Sequence, residues 1–389
     1  MTQLRYAPSD ATPGTHVLII GVGYYQHLRG GAAPRHHLGL SVLESPPESA
    51  LQIARWFAGQ TPSGAGMYNP KAPLKTMNIL IAAREPARFE HNGVSQEIER
   101  PTHENVTRAF DSWLAEVEKH PENVGVIYFC GHGIMGSGPE HILLLDDHGS
   151  DTKRPFNTGS FDITSTLRAL SRTVECPLFI FIDACRTYEH TLGSKIGSLP
   201  HPLLGDGASS ANINLGTLVF ESADENTQAF GQVEGISLFT KALLQALEGF
   251  CGTWHAEQEA WQINSSALVH SVPKLLELIS KESGYPMQSC SSHPSGKVDI
   301  SLHQTSQTPK VKVEIELTPE SQRAIRGFEI CNLSESDEPK IIGGLVSDIW
   351  RTEAPKGVYS IHIDSTPPIE RKKQYLDPPH YYLPVEILL

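Results

Sequence analysis

Short apolar runs alternate with stretches of helical spacing over the first three quarters of the chain. Residues 16–21 (HVLIIG), 77–82 (MNILIA), 124–130 (VGVIYFC), 178–182 (LFIFI) and 216–221 (GTLVFE) read as strands, with a short one at 141–145 (HILLL). None alternates polar with apolar, which is the pattern of a parallel sheet covered on both faces. Between them, residues 47–58 carry Leu51, Ala54 and Phe57 at helical spacing. A second helix opens at Pro101-Thr102 and runs to Lys119, with Val106, Phe110, Trp113, Leu114 and Val117 on one stripe and Thr102 as its cap. Residues 161–172, 236–248 and 265–281 read as further helices. The prediction is an α/β domain, a mostly parallel sheet with helices on both faces, over roughly residues 10–290.

The pattern then changes. Residues 289–295 (SCSSHPS) read as a linker. Residues 310–317 alternate with period two, and 328–330, 341–346 and 358–363 read as more strands. A small all-β, sandwich-like domain is placed at 297–389. Two long loops stand out, 83–100 and 187–215, the second rich in Gly, Ser and Asn. No internal repeat is visible.

Composition narrows the classes. The net charge is −13, which disfavours phosphate-rich partners, so no nucleic acid is expected. No apolar run reaches the ~18–20 residues of a membrane span, and residues 1–20 lack the features of a secretory leader. A cytoplasmic protein with no membrane contact is expected. The six cysteines form no CxxC pair and match neither a disulfide framework nor a zinc site. Gly21-Val22-Gly23 lacks the third glycine of a dinucleotide loop, and the histidines show no metal-ligand spacing. No cofactor is expected; a calcium requirement is left open.

The chemistry sits at strand ends, where open α/β sheets build their sites. One strand runs into Cys130-Gly131-His132-Gly133, another into Asp183-Ala184-Cys185-Arg186. A catalytic thiol needs an imidazole to take its proton and donors for the oxyanion formed when it attacks a carbonyl. His132 and Cys185 are the candidate dyad. The backbone N–H groups of Gly133 and Cys185 are the candidate oxyanion hole. Cys185 lies 53 residues after His132, and a His about 50 residues upstream of the Cys is the caspase spacing.

On these motifs the chain resembles the caspase-like cysteine peptidases, nearer the metacaspases and prokaryotic members than the animal caspases. LIIGVGYYQHL, YFCGHG, FIDACR, VFESADENTQAF and GISLFTKALLQALEG follow the family's order over residues 14–285. With the linker and β strands read above, the domains are placed at 1–13 (an N-terminal extension), 14–288 (a caspase-like peptidase domain), 289–296 (the linker) and 297–389 (the β domain). The resemblance also implies an acidic S1 pocket that takes Arg, less often Lys. Asp183, two residues before the Cys, Asp224, Glu225 and Glu48 are its candidates. Each has a plainer reading: Asp183 as a turn cap, Asp224 and Glu225 as solvated loop acids, Glu48 as a first-turn helix acid. The chain departs from the metacaspases in following the Cys with Arg186-Thr187-Tyr188 and in lacking their Asn-Asp pair.

The expected function is therefore a cysteine endopeptidase acting on proteins after basic residues. The resemblance further implies a zymogen, opened by self-cleavage or an upstream protease in the 187–215 loop, where Lys195 is the candidate site. It implies a place in a prokaryotic antiviral defence or cell-death cascade. The rival is a catalytically weak caspase-fold scaffold that signals through its C-terminal β domain.

Overall fold

The computed structural model describes the chain apart from residues 1–2, 8–11, 36–38, 136–139, 154–155, 157, 189–199, 206–215, 224–234, 297–298, 319–326, 334–340, 344–348, 365–367 and 387–389. In chain order its elements are β1 (Gln3–Arg5), β2 (Thr15–Val22), α1 (Ser45–Phe57), β3 (Leu74–Ala82), β4 (Arg88–His91), β5 (Val94–Glu97), α2 (His103–Val117), β6 (Val124–Gly131), β7 (Gly133–Met135) and β8 (His141–Leu144). Next come β9 (Ser160–Asp162), α3 (Ile163–Thr173), β10 (Leu178–Ala184), β11 (Thr187–Tyr188), β12 (Gly216–Glu221), α4 (Leu238–Gln245), β13 (Thr253–His255), β14 (Ala260–Asn264), α5 (Ser265–Ser283), β15 (Ser291–Gly296) and β16 (Ser301–Thr305). The last are β17 (Lys310–Thr318), β18 (Phe328–Asn332), β19 (Ile341–Gly343), β20 (Trp350–Pro355), β21 (Gly357–Ile363), β22 (Ile369–Leu376) and β23 (His380–Glu386). They group into two compact units, residues 1–244 with 276–303, and residues 245–275 with 304–389.

The first unit is built on a seven-stranded sheet, ordered β1-β3-β2-β6-β10-β12-β15. The five inner strands run parallel and the two edges antiparallel, as the unbroken apolar runs require. Every residue of β2, β6 and β10 is buried. On one face Leu18, Ile20, Ile127, Phe129, Ile180 and Ile182 pack into a core with Val106, Phe110 and Trp113 of α2 and Leu170 of α3. On the other face a Cβ on Gly21 would stand 2.6 Å from that of Ala50 on α1. The aromatic series Phe179, Phe181, Phe220 and Phe239 links the same face to α4. Beyond the sheet's carboxyl end, β11-β7-β8-β9 form a second, small sheet.

The second unit carries two small sheets, β20-β17-β23 and β19-β18-β21-β22. They share one core: Val311, Val313, Ile315 and Leu317 of β17 face Ile330, Tyr359, Ile361 and Ile363. Period two along β17 is thus the mark of a strand with one buried face.

Three stretches depart from the sequence expectation. Residues 83–100 are not one loop: β4 and β5 form a hairpin closed by Asn92-Gly93, both with positive φ, 51° and 75°. Residues 289–295 are not a free linker: β15 closes the sheet, with Pro294 opposite Leu218. An edge tolerates Pro and polar side chains because it pairs on one side alone. The helix expected over 236–248 starts at Leu238, because the Ser237 hydroxyl accepts the Thr240 N–H and caps it, and a π turn from Ala246 to Phe250 ends it. No helix among the described residues is long and apolar enough to cross a membrane.

The cap of α2 is the foreseen one: the Thr102 hydroxyl accepts the Asn105 N–H at 3.3 Å. Thr102→Ala is expected to cost about 1 kcal/mol, read as a lowered urea midpoint for unfolding of this unit.

Candidate active site

The site is built by two neighbouring strands that stay in step beyond the sheet. In β6 and β10, Asp183 pairs with Cys130 and Ala184 with Gly131. Past the sheet end, Thr187 of β11 pairs with Ile134 of β7, and Tyr188 with Met135. All four pairs differ by 53 positions, so the same register sets Cys185 beside His132 and Arg186 beside Gly133. The spacing noticed in the sequence is thus the offset of a parallel ladder. Gly133 touches Cys185 directly: a Cβ there would lie 2.6 Å from the Cys185 carbonyl oxygen and 2.9 Å from the Ala184 Cβ. The structure therefore brings together His132, Gly133 and Cys185. Cys185 is partly exposed, whereas Cys130, Cys176 and Cys251 are buried.

His132 is held from two sides. Its backbone N–H donates to the Tyr25 hydroxyl at 2.7 Å, and the Tyr25 ring lies 5.0 Å from the imidazole. Its Nε2 lies 2.6 Å from the Ser41 carbonyl oxygen. A carbonyl oxygen only accepts, so Nε2 carries the proton and Nδ1 keeps its lone pair. Burial pushes the imidazole below its ordinary range, with the Ser41 hydrogen bond opposing in part. The ring is neutral at physiological pH and can take a proton at Nδ1. Neither Ser41 nor Tyr25 was among the sequence candidates; a backbone carbonyl leaves no residue-type signal.

Asp183 sits on the α1/α4 face of β10 and is fully buried. Its Oδ2 accepts from the hydroxyls of Ser237 and Thr240 and from the Cys130 thiol at 3.5 Å. Burial raises its carboxyl above the ordinary range, against the pull of these donors. Its hydrogen-bond partners are neutral. Glu48 is not brought to it: that side chain lies on the outer face of α1, accepting from Arg55 at 2.9 Å and Gln52 at 2.7 Å. Its neighbour Ser49 reaches the cluster instead, its hydroxyl accepting the Ser237 N–H at 3.0 Å. Asp224, Glu225 and Lys195 lie outside the described residues.

A second buried cluster lies behind the thiol, and the sequence reading missed it. His141 places Nε2 3.2 Å from the Cys185 carbonyl oxygen and Nδ1 3.0 Å from Glu221. The other Glu221 oxygen meets the Arg186 guanidinium at 3.0 Å and His293 at 3.5 Å. Burial alone would raise the Glu221 carboxyl; the His141 hydrogen bond and the charges on His141, Arg186 and His293 outweigh it and hold the carboxyl below its ordinary range. His141 opens one apolar strand and Glu221 closes another 80 positions later, so no local pattern connects them.

Three comparisons bear on this arrangement. The family model of the caspase domain (Peptidase_C14) matches residues 82–298, more than half of the chain. The uncharacterized protein y4kE of Sinorhizobium fredii is 28% identical over 285 residues, 71% of this chain and 81% of that protein. Among solved structures, protein GSU0716 of Geobacter sulfurreducens aligns over 74% of this chain and 98% of its own, at 12% identity and a TM-score of 0.44. Caspase-1 of Spodoptera frugiperda aligns over 75% and 91%, at 10% identity and a TM-score of 0.39. The family match spans β6, β10 and both strand-end motifs, and the chain belongs to the caspase-domain family of cysteine peptidases.

Proposed function

We propose that the protein is a cysteine endopeptidase that cuts proteins after Arg and, less often, Lys. The observation that supports the reading is the shared register, which carries the partly exposed Cys185 on the strand neighbouring His132, whose Nε2 is held by the Ser41 carbonyl and leaves Nδ1 to accept a proton. In the first step the Cys185 thiol gives its proton to Nδ1 of His132 and its sulfur bonds to the substrate carbonyl carbon. The carbonyl π electrons move to oxygen, and the N–H groups of Gly133 and Cys185 hold that oxyanion. The intermediate collapses as His132 returns the proton to the departing amine. Water then attacks the thioester, with His132 as base, and frees the acid and the thiol.

Support for a basic residue before the cut comes from Asp183. Its hydroxyl and thiol donors are neutral, so a substrate guanidinium would supply a cation that these partners do not. Latency, opened at Lys195 by self-cleavage or by an upstream protease, rests on the resemblance, as does a role in prokaryotic defence or cell death.

Fluorogenic peptides ending in Arg, Lys or Asp test the reading. Arg peptides are expected to turn over fastest, with activity lost in Cys185→Ala. Turnover of the Asp peptide alone overturns the pocket; no turnover of any peptide, with mass spectrometry showing the chain open at Lys195, overturns the peptidase.

The pH dependence follows from His132. Its folded-state value is depressed, so the neutral base is present above that value and lost as pH falls through it. The acid limb of kcat/KM is expected below 6.5, the ordinary imidazole value; a limb above it refutes the neutral-base assignment.

Gly133→Ala would put a Cβ 2.6 Å from the Cys185 carbonyl oxygen and 2.4 Å from Nε2 of His141. Relieving contacts that short displaces the strand by about 1 Å, which is expected to cost about 100-fold in kcat/KM, with the circular dichroism spectrum unchanged.

A further inference from the structure

We propose that His141 is a positioning residue for Cys185: its ring, protonated on both nitrogens, ties the Cys185 carbonyl to Glu221. The inference rests on the reading of Cys185 as the nucleophile. Both ring nitrogens of His141 face acceptors, the Cys185 carbonyl oxygen at 3.2 Å and Glu221 Oε1 at 3.0 Å. A carbonyl has no proton to give. Nor has Glu221 while ionised, the form favoured by the Arg186 guanidinium at 3.0 Å. Both contacts are satisfied together only when the ring donates twice. The ring is almost fully enclosed, with 1% of its surface exposed, so an unmade bond there is costly.

The clamp fits tightly. A Cβ on Gly133 would lie 2.4 Å from Nε2, so the ring is wedged between the two backbones that carry the oxyanion donors. Its own backbone N–H is fixed by the Thr164 hydroxyl at 3.0 Å, and β8 pairs with β7. Holding the Cys185 carbonyl fixes the ψ of that residue, and with it the direction from which sulfur approaches a substrate.

The ring meets Glu221 on β12 and the Cys185 carbonyl after β10, and Glu221 in turn meets Arg186 after β10 and His293 on β15. Asp162 on β9 caps α3 instead, accepting the Ser165 N–H at 3.1 Å. In a ring with one proton the carboxylate, the stronger acceptor, would hold it, and the Nε2 lone pair would face the carbonyl oxygen. The imidazolium also adds a positive charge behind the thiol, which favours the thiolate.

The test compares wild type with His141→Leu, which removes the clamp, and His141→Gln, which retains a donor without the charge. With an Arg peptide, His141→Leu is expected to lose about 10- to 100-fold in kcat with KM within about twofold. His141→Gln is expected to recover part of the rate. Iodoacetamide alkylation of Cys185, followed by mass spectrometry, reads the clamp without any peptide. In His141→Gln it is expected to slow several-fold at neutral pH. Superimposable alkylation profiles overturn the clamp. Alkylation that responds to His141→Gln in a protein that cuts no peptide supports the clamp and sinks the peptidase reading. If neither variant folds, the ring-nitrogen spectrum of 15N-histidine wild-type protein decides: a buried ring carrying a proton on both nitrogens is expected, and its absence refutes the proposal.

Discussion

Everything at the site depends on the parallel pairing of residues 124–135 with 178–188. The register is not set by the reactive residues. Leu178, Ile180 and Ile182 face one core while Phe179 and Phe181 face the other, and a slip of one residue would exchange the two faces. The hydrophobic layers on both sides therefore hold the thiol and the imidazole level. Because the step survives the gap between the two sheets, the segment bearing Cys185 and Arg186 is tied at both ends. Such a segment reaches its geometry without distortion at the moment of reaction, which is what a preorganised site needs.

Two buried carboxyl groups flank that segment and behave in opposite ways. Asp183 meets only hydroxyls and a thiol among its hydrogen-bond partners, and burial raises its carboxyl. Glu221 meets a guanidinium and two imidazoles, and they overcome a burial effect of the same sign. The difference lies in charge: neutral donors recover part of what an anion loses on leaving water, whereas nearby cations recover more. Glu221 thus stays ionised between His141 and Arg186, whereas Asp183 sits among neutral donors.

Much of this was legible in the sequence. The inner strands, the two-sided helical cover, the Thr102 cap and the period-two strand of the C-terminal domain follow from local patterns, and local patterns are what a sequence displays. The hairpin of β4 and β5 was missed although Asn92-Gly93 marks it, because Arg88, Glu90 and Glu97 make its strands polar. β15 was missed because an outer strand of Ser, His, Pro and Gly buries too little to show periodicity. Of the site, His132 and Cys185 were legible because their separation equals a ladder offset. The Glu48 assignment failed because its side chain points out of α1 to Arg55, leaving Ser49 to face the cluster. His141 and Glu221 meet only through tertiary folding, as do Tyr25 and His132.

The partner of His132 Nε2 is a main-chain oxygen, that of Ser41. Its segment is fixed in turn by main-chain bonds, Val42 N–H to the Arg29 carbonyl at 2.9 Å and Leu43 N–H to the Gly23 carbonyl at 2.8 Å. The choice of tautomer is consequently written in the path of the chain rather than in the identity of any amino acid. A side-chain scan across residues 41–43 would pass over it in silence. An insertion, a deletion or a proline that reroutes the backbone there would take this partner from the imidazole while leaving His132 and Cys185 in place.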